Sequence, residues 1–140
     1  TLEENKYSIE DSLVIGDFNV NPFERPMLSF FGMSATNSVT CSKRNEVVRN
    51  GEKTKLFYNP MWTLYSLYKD RPGSHKYIRT GVDIVTWHFL DQVIIRPSMI
   101  DIFKFDSLEL IKKTNSYTFV SANENPSVSD HVPLACEIEF

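Results

Sequence analysis

Residues 13–23, "LVIGDFNVNPF", run from three apolar side chains into a glycine and then into two polar residues, Asp17 and Asn19. A short apolar run bounded by glycine predicts a buried β-strand. A carboxylate and a carboxamide two residues apart at its end predict a strand tip that holds a ligand. The alternative is an ordinary turn, in which both side chains cap backbone N–H groups.

The composition of the chain is that of one globular domain. Its 140 residues suffice for one hydrophobic core but not for two. No stretch approaches the roughly 20 apolar residues that span a bilayer, so no membrane span is predicted. Cys41 and Cys136 are too few for a disulfide framework, and each is predicted to be a buried small hydrophobe, with a disulfide or metal role as the alternative. A cytoplasmic, reducing setting fits this cysteine usage.

Charge is unevenly distributed along the chain. The net charge of -3 argues against a general nucleic-acid coat protein. Between residues 43 and 79, nine basic minus three acidic residues leave a local charge of +6. This segment is either a solvated surface or a wall that faces a phosphorylated substrate.

Strand signals dominate the rest of the chain. The dipeptide Asn50-Gly51 lies between two strand-like runs and predicts a tight hairpin, because both residues adopt positive φ at low cost. Residues 89–97, "FLDQVIIRP", predict a strand that ends at its proline. The alternating residues 131–140 predict a half-exposed final strand. Further short strands are predicted at residues 76–81 and 107–113.

Helix signals are fewer. Residues 22–32 predict a helix that begins at Pro22 and ends at Gly32. Residues 59–68 predict a loop or short helix, residues 71–74 a turn, and residues 1–11 the end of a helix. Five to seven strands with few helices favour an α/β (α+β) fold built on a β-rich layer over a helical bundle.

Three polar clusters interrupt or end the apolar strands. They are Asp17 with Asn19, then Asp91, then Asp130 with His131. A carboxylate inside a strand this apolar is costly unless it is paired, and a histidine that donates its Nδ1 proton is a suitable partner. The other two carboxylates, those of Asp17 and Asp130, would lie at neighbouring strand tips and suit Mg²⁺. An imidazolium, an amide and a metal together suit a phosphate group.

Each cluster also has a purely structural interpretation. Asp91 alone fits an edge strand, and residues 129–131 alone fit a loop cap before the final strand. His75 and His88 lie outside the three clusters and are interpreted as surface or packing residues. The sequence contains no Cys/His zinc spacing, no glycine-rich phosphate loop and no Gly-x-Ser-x-Gly elbow.

Taken together, "GDFN" (16–19), "FLDQV" (89–93) and "SDHVPL" (129–134) resemble the endonuclease/exonuclease/phosphatase superfamily, which has the DNase I-like fold. "FYNPMW" (57–62) and "PGSHKY" (72–77) are similar to a bacterial branch of it. The resemblance covers nearly the whole chain. It implies a sandwich of two β-sheets with flanking helices, and hydrolysis of phosphodiesters or phosphomonoesters with Mg²⁺ or Mn²⁺.

The resemblance implies a role for each polar residue. Asp17 would orient or deprotonate the attacking water, and Asn19 would hold the scissile phosphate. Asp91 would pair with His131, which would stabilise the pentavalent phosphate. Asp130 and Asp17 would lie at the metal. The alternative function is a half-domain without catalysis that acts as an interaction or assembly module.

All of these motifs belong to the second half of such a domain, whose first half supplies an Asn and a metal-binding Glu. Residues 1–140 are therefore expected to be the C-terminal half, without the N-terminal half, and inactive or nearly so alone. The chain is expected to bind that half, or to dimerise through an exposed sheet face formed by Phe18, Leu90, Val93, Ile95, Leu134 and Ile138. The positive segment favours a polyanionic substrate such as a nucleic acid. Nearby aromatic residues fit base stacking or, as the alternative, core packing.

Overall fold

The computed structural model describes residues 2–66, 73–77 and 85–140 and has the α+β class that the sequence predicts. The predicted turn at 71–74 and strand at 76–81 lie partly outside these residues. The helices in the described part are all too short or too polar to cross a membrane. The elements in chain order are α1 (Leu2–Tyr7), β1 (Leu13–Asp17), α2 (Arg25–Leu28), β2 (Ala35–Thr36), α3 (Val39–Ser42), β3 (Glu46–Arg49), β4 (Glu52–Lys55), β5 (Phe57–Tyr58), α4 (Met61–Ser66), β6 (His75–Lys76), β7 (Trp87–His88), β8 (Asp91–Ile95), a 3-10 helix (Pro97–Met99), β9 (Phe103–Leu110) and β10 (Leu134–Ile138).

Four strands form the main sheet, in the order β1-β8-β5-β2. β8 pairs antiparallel with β1, so that Leu13 lies opposite Ile95 and Asp17 lies opposite Asp91. β5 pairs antiparallel with β8 and parallel with β2. The pairs β3–β4, β6–β7 and β9–β10 form separate two-stranded sheets.

The apolar strand β8 is buried on both faces. Val93 and Ile95 belong to a core cluster with residues of β9 and β10, whereas Ile94 belongs to a second cluster with Met27 of α2. All three of these β8 side chains are fully buried. A strand that is covered on both sides shows a continuous apolar run rather than alternation, which explains the sequence "QVII".

The prediction of a strand after residue 12 is confirmed, but its predicted burial is wrong. Leu13 and Val14 of β1 are half-buried, and Ile15 is 49% exposed. β1 is an edge strand of the main sheet and, within the described residues, pairs with β8 alone. One long side of the strand therefore has no paired strand in this part of the chain.

The predicted exposed apolar face is wrong for its central members. Val93 and Ile95 are buried because the hairpin β9–β10 packs on their side of the main sheet, and Leu90 is buried as well. Leu134 and Ile138 of β10 are half-buried against the same cluster. That face of the main sheet is thus covered by the chain itself.

The turn signals have different outcomes. The hairpin at Asn50-Gly51 is confirmed, with positive φ of 51° and 83° at the two residues. The predicted helix at residues 22–32 is wrong in extent, since α2 has only four residues. The Glu24 N–H donates to the Asn21 carbonyl at 3.0 Å, so Pro22 lies in a turn before the helix.

The strand and cysteine predictions are mostly confirmed. β8 ends just before Pro97, and β9 includes the start of the strand predicted at 107–113. β10 lies within residues 131–140, and its Cys136 is half-buried against the core. Cys41 is exposed, contrary to prediction, because α3 turns the neighbouring Ser42 inward instead.

A buried ion pair joins α1 to the end of β8. The Nε and Nη2 atoms of Arg96 donate to the two carboxylate oxygens of Glu4 at 2.7 and 2.6 Å, and Nη1 donates to the Leu56 carbonyl at 2.9 Å. The guanidinium also lies 3.6 Å from the centre of the Phe57 ring. These bonds to Arg96, aided by Ser12, hold the pKa of Glu4 far below its ordinary value despite burial.

Candidate active site

The three predicted polar clusters meet at one end of the main sheet. Asp17 ends β1 and Asp91 begins β8, and the two residues lie directly opposite each other in the antiparallel pair. The Phe18 N–H donates to the Leu90 carbonyl at 2.8 Å and extends the pairing past both aspartates. One ligand atom from each of Asp17, Asp91 and His131 lies within 4.8 Å of the others.

His131 is paired with Asp91. Its Nδ1 lies 2.7 Å from the Asp91 Oδ2, and both side chains are only partly exposed. The carboxylate at Nδ1 favours the form in which that nitrogen carries the proton and donates it. The Nε2 atom of His131 therefore remains for a ligand.

The charge of His131 is set by opposing effects. Partial burial lowers the pKa of His131, but the hydrogen bond to Asp91 and the negative charges of Asp91, Asp17 and Asp130 more than offset it. The pKa of His131 is consequently raised above its ordinary value. An imidazole held this way favours its positively charged form beside an anionic group.

A short buried segment holds the two halves of the pair in place. The Ser74 Oγ accepts a hydrogen bond from the Asp91 N–H at 2.8 Å, and the Ser74 carbonyl accepts one from the Val132 N–H at 2.6 Å. Gly73 allows the close approach, because a Cβ there would lie 2.2 Å from the His88 carbonyl oxygen. Ser74 thus fixes β8 and the loop before β10 relative to each other.

Buried carboxamides fix the loop that follows β1. The Gln92 Nε2 donates to the Val20 carbonyl at 2.5 Å, and the Gln92 Oε1 accepts from the Asn59 Nδ2 at 2.8 Å. The Asn59 Oδ1 in turn accepts from the Met61 N–H at the start of α4. These bonds connect the "NPMW" segment to the strand that carries Asp91.

His75 lies in the site, which its position in the sequence does not indicate. It pairs with His88 across β6–β7 and with His131 in an isolated antiparallel bridge. The rings of His75 and His131 are 4.6 Å apart, and the His75 Nε2 is 3.6 Å from the Asp130 Oδ2. His88 is a packing residue, with its Nδ1 2.9 Å from the Asn21 Nδ2. Only the strand pairing reveals His75.

The remaining predicted residues, Asn19 and Asp130, lie at the exposed rim. The Asn19 backbone N–H donates to the Asp17 Oδ1 at 2.8 Å, as expected if Asp17 caps a turn. Asp130 forms a second group of ligand atoms with His75 and His131, also within 4.8 Å. Its own backbone N–H lowers the pKa of Asp130, with help from both histidines. Asp17 and Asp130 thus belong to two groups that share His131.

A cleft of about 360 Å³ opens beside the Asp91–His131 pair. Its lining is mainly apolar. An apolar wall next to a charged pair leaves room for the non-reacting part of a ligand. The cleft is lined by Ile15, Gly16, Asp91, Phe119, His131 and Leu134, among others.

The described part of the basic segment lies largely away from this site. Arg44 and Lys55 line a groove of about 440 Å³ next to Arg96. Arg96 follows β8 at the end opposite Asp91, about 17 Å along the strand at roughly 3.3 Å per residue. Lys53 forms a surface ion pair with Glu46. This placement favours the solvated-surface interpretation for the part of the segment described.

The described aromatic residues near that segment pack on other side chains, although Tyr65 remains 50% exposed. Phe57 and Tyr58 are buried. Trp62 and Tyr65 make edge contacts with the Phe23 ring at 6.5 and 5.6 Å. Tyr68 lies outside the described residues.

Comparison of the chain with protein-family models, curated proteins and solved structures gave no match.

Proposed function

We propose that this chain carries catalytic residues of a metal-dependent phosphoesterase that acts by in-line attack of water. The observation that carries the proposal is the convergence of Asp17, Asp91 and the Asp91-bound imidazole of His131. Two carboxylates directly opposite each other across a strand pair repel. A positive charge between or beside the two carboxylates would offset this repulsion.

Each residue then has a defined role. Asp17 is exposed and is free to orient or deprotonate a water molecule. Asp91 holds the His131 tautomer, so that Nε2 faces the ligand side, and the imidazolium stabilises charge that develops on the phosphate. Asn19, beside Asp17, would hold the phosphate through its exposed side chain.

The donor chemistry fits a hard divalent cation. The carboxylates of Asp17 and Asp91 offer oxygen atoms of the kind that Mg²⁺ and Mn²⁺ prefer, and Asp130 would contribute directly or through water. Such an ion neutralises phosphate charge when bound. The family resemblance implies that an Asn and a Glu from the other half of such a domain complete the site. We therefore expect residues 1–140 alone to turn over substrate slowly or not at all.

The proposal includes the DNase I-like sandwich. Its support is the packing of the hairpin β9–β10 on one face of the main sheet, with α2 on the other. The substrate is a phosphorylated compound, with nucleic acid as one candidate.

Hydrolysis of bis(p-nitrophenyl) phosphate tests the function. The protein translated from the start codon of its gene, and residues 1–140 alone, would each be assayed with Mg²⁺, with Mn²⁺ and with EDTA. We expect metal-dependent hydrolysis that EDTA abolishes, mainly from the gene product. If neither protein hydrolyses this or other phosphoesters with either metal, the chain is an interaction module.

We further propose that the edge of β1 without a paired strand is where the chain associates, either with an N-terminal half of such a domain or with a second copy. Unpaired strand edges add strands from other chains. Light scattering after gel filtration at micromolar concentration should show a dimer for residues 1–140, and Ile15→Lys should shift it to monomer. A wild-type chain that is monodisperse and monomeric would contradict dimer formation.

A further inference from the structure

We propose that His75, Asp130 and His131 bind a transition metal ion such as Zn²⁺. Zinc binding does not depend on whether the chain hydrolyses phosphoesters. Two imidazoles and one carboxylate differ from the oxygen set that suits Mg²⁺ and match the nitrogen-rich sites of Zn²⁺ and its neighbours.

The spacing of the donor atoms fits such an ion. One ligand atom from each of the three residues lies within 4.8 Å of the other two. The His75 Nε2 and the Asp130 Oδ2 are 3.6 Å apart. Two donors about 2.1 Å from a tetrahedral zinc ion are about 3.4 Å apart, so these two need little movement.

His131 has the outer contact that zinc-binding histidines share. A metal-bound imidazole usually donates its other ring N–H to a carboxylate or carbonyl. Asp91 accepts from the His131 Nδ1 at 2.7 Å and leaves Nε2 for the ion. Zinc would displace the proton that the charged imidazole carries on Nε2, and Nδ1 would stay bonded to Asp91.

The side chain of His75 has no competing hydrogen bond in the described residues. Its Nδ1 is buried without a partner, and its Nε2 is beyond hydrogen-bond distance of Asp130. A histidine retained for core structure would normally satisfy its ring nitrogens. The His75 Nε2 lies within ion-pair distance but beyond hydrogen-bond distance of Asp130, and a metal ion between the two atoms would explain this spacing.

The backbone holds the two histidines side by side. His75 and His131 are partners in an antiparallel bridge, which the bond from the Val132 N–H to the Ser74 carbonyl supports. Donors on paired strands keep their spacing better than donors on free loops. Asp130 is 73% exposed, which leaves it free to move onto the ion and leaves a coordination position for water.

Calorimetric titration of residues 1–140 with Zn²⁺ tests this site. The Cys41→Ser background removes the exposed thiol, which is itself a zinc ligand. We expect one zinc ion per chain, with affinity reduced at least roughly tenfold by His75→Gln and by Asp130→Asn. Asp91→Asn, which removes the outer contact, should reduce the affinity about 10–100-fold.

His88→Gln is the matched control. His88 lies opposite His75 in the β6–β7 pair but belongs to neither group of ligand atoms. Circular dichroism establishes that each variant is folded. The exposed Asp130→Asn decides the result if His75→Gln does not fold. Unchanged zinc affinity in Asp130→Asn, or an equal loss in His88→Gln, would overturn the proposal.

Discussion

Replacement of Arg96 by alanine is expected to lower the free energy of unfolding by about 3–5 kcal/mol. The guanidinium is almost fully buried and makes three hydrogen bonds, two to Glu4 and one to the Leu56 carbonyl. Its removal leaves a carboxylate buried without its main counter-charge. A domain of this size has only about 5–15 kcal/mol of stability, so the urea midpoint should fall sharply.

The matched control is the surface pair of Lys53 and Glu46. Its Nζ–Oε1 distance of 2.6 Å equals the shortest contact between Arg96 and Glu4, but its side chains are 65% and 43% exposed. Exposed pairs contribute about 0–1 kcal/mol, so Lys53→Ala should change stability little. Similar losses in Arg96→Ala and Lys53→Ala would show that burial of the pair contributes nothing.

The buried pair of Arg96 and Glu4 predicts that the free energy of unfolding depends on pH. The pKa of Glu4 is lowered in the folded state, whereas the unfolded chain takes up a proton near the ordinary value of 4.5. The unfolded state therefore binds more protons as the pH falls below about 5, and stability falls with it, by at most about 1.4 kcal/mol per pH unit for one group. Urea titrations between pH 6 and 3 should show that the free energy of unfolding changes less steeply with pH in Glu4→Gln than in the wild-type protein.

The second large effect is the loss of kcat that we expect when His131 is replaced. Under the proposed phosphoesterase function, His131→Gln in the gene product should lower kcat about 10²–10³-fold, as removal of one transition-state donor does elsewhere. Asp17→Asn should lower kcat about 10²–10⁴-fold, because it removes the proposed base. Both effects would be measured as initial rates with saturating Mg²⁺.

His88→Gln serves here as the control because His88 packs on Tyr77 and belongs to neither group of ligand atoms. We expect its kcat to remain within a few-fold of wild type. Full activity in His131→Gln would show that the imidazole takes no part in catalysis. Equal losses in both histidine variants would indicate a loss of structure in β6–β7 instead.

The central strand was predictable from the sequence for local reasons. "FLDQVIIRP" contains its own boundaries, since a proline ends an apolar run. An aspartate inside that run favours a partner such as a histidine. That this partner is His131, 40 residues away, was implied by the resemblance of "FLDQV" and "SDHVPL" to the superfamily and not by a local pattern.

Features that depend on distant pairing could not be predicted. The apolar run of β1 resembles that of a buried strand, but burial depends on which strands lie beside it. The cover of Val93 by β9 and β10 and the place of His75 opposite His131 follow from tertiary contacts. No local pattern around His75 differs from that of a surface histidine.

One imidazole, that of His131, belongs to both groups of ligand atoms. Two ligands that require the same side chain are antagonists, and linkage makes the effect reciprocal. Zinc would weaken the binding of a phosphoester by the same factor by which the phosphoester weakens the binding of zinc. The rate of hydrolysis would then report the concentration of free zinc around the protein.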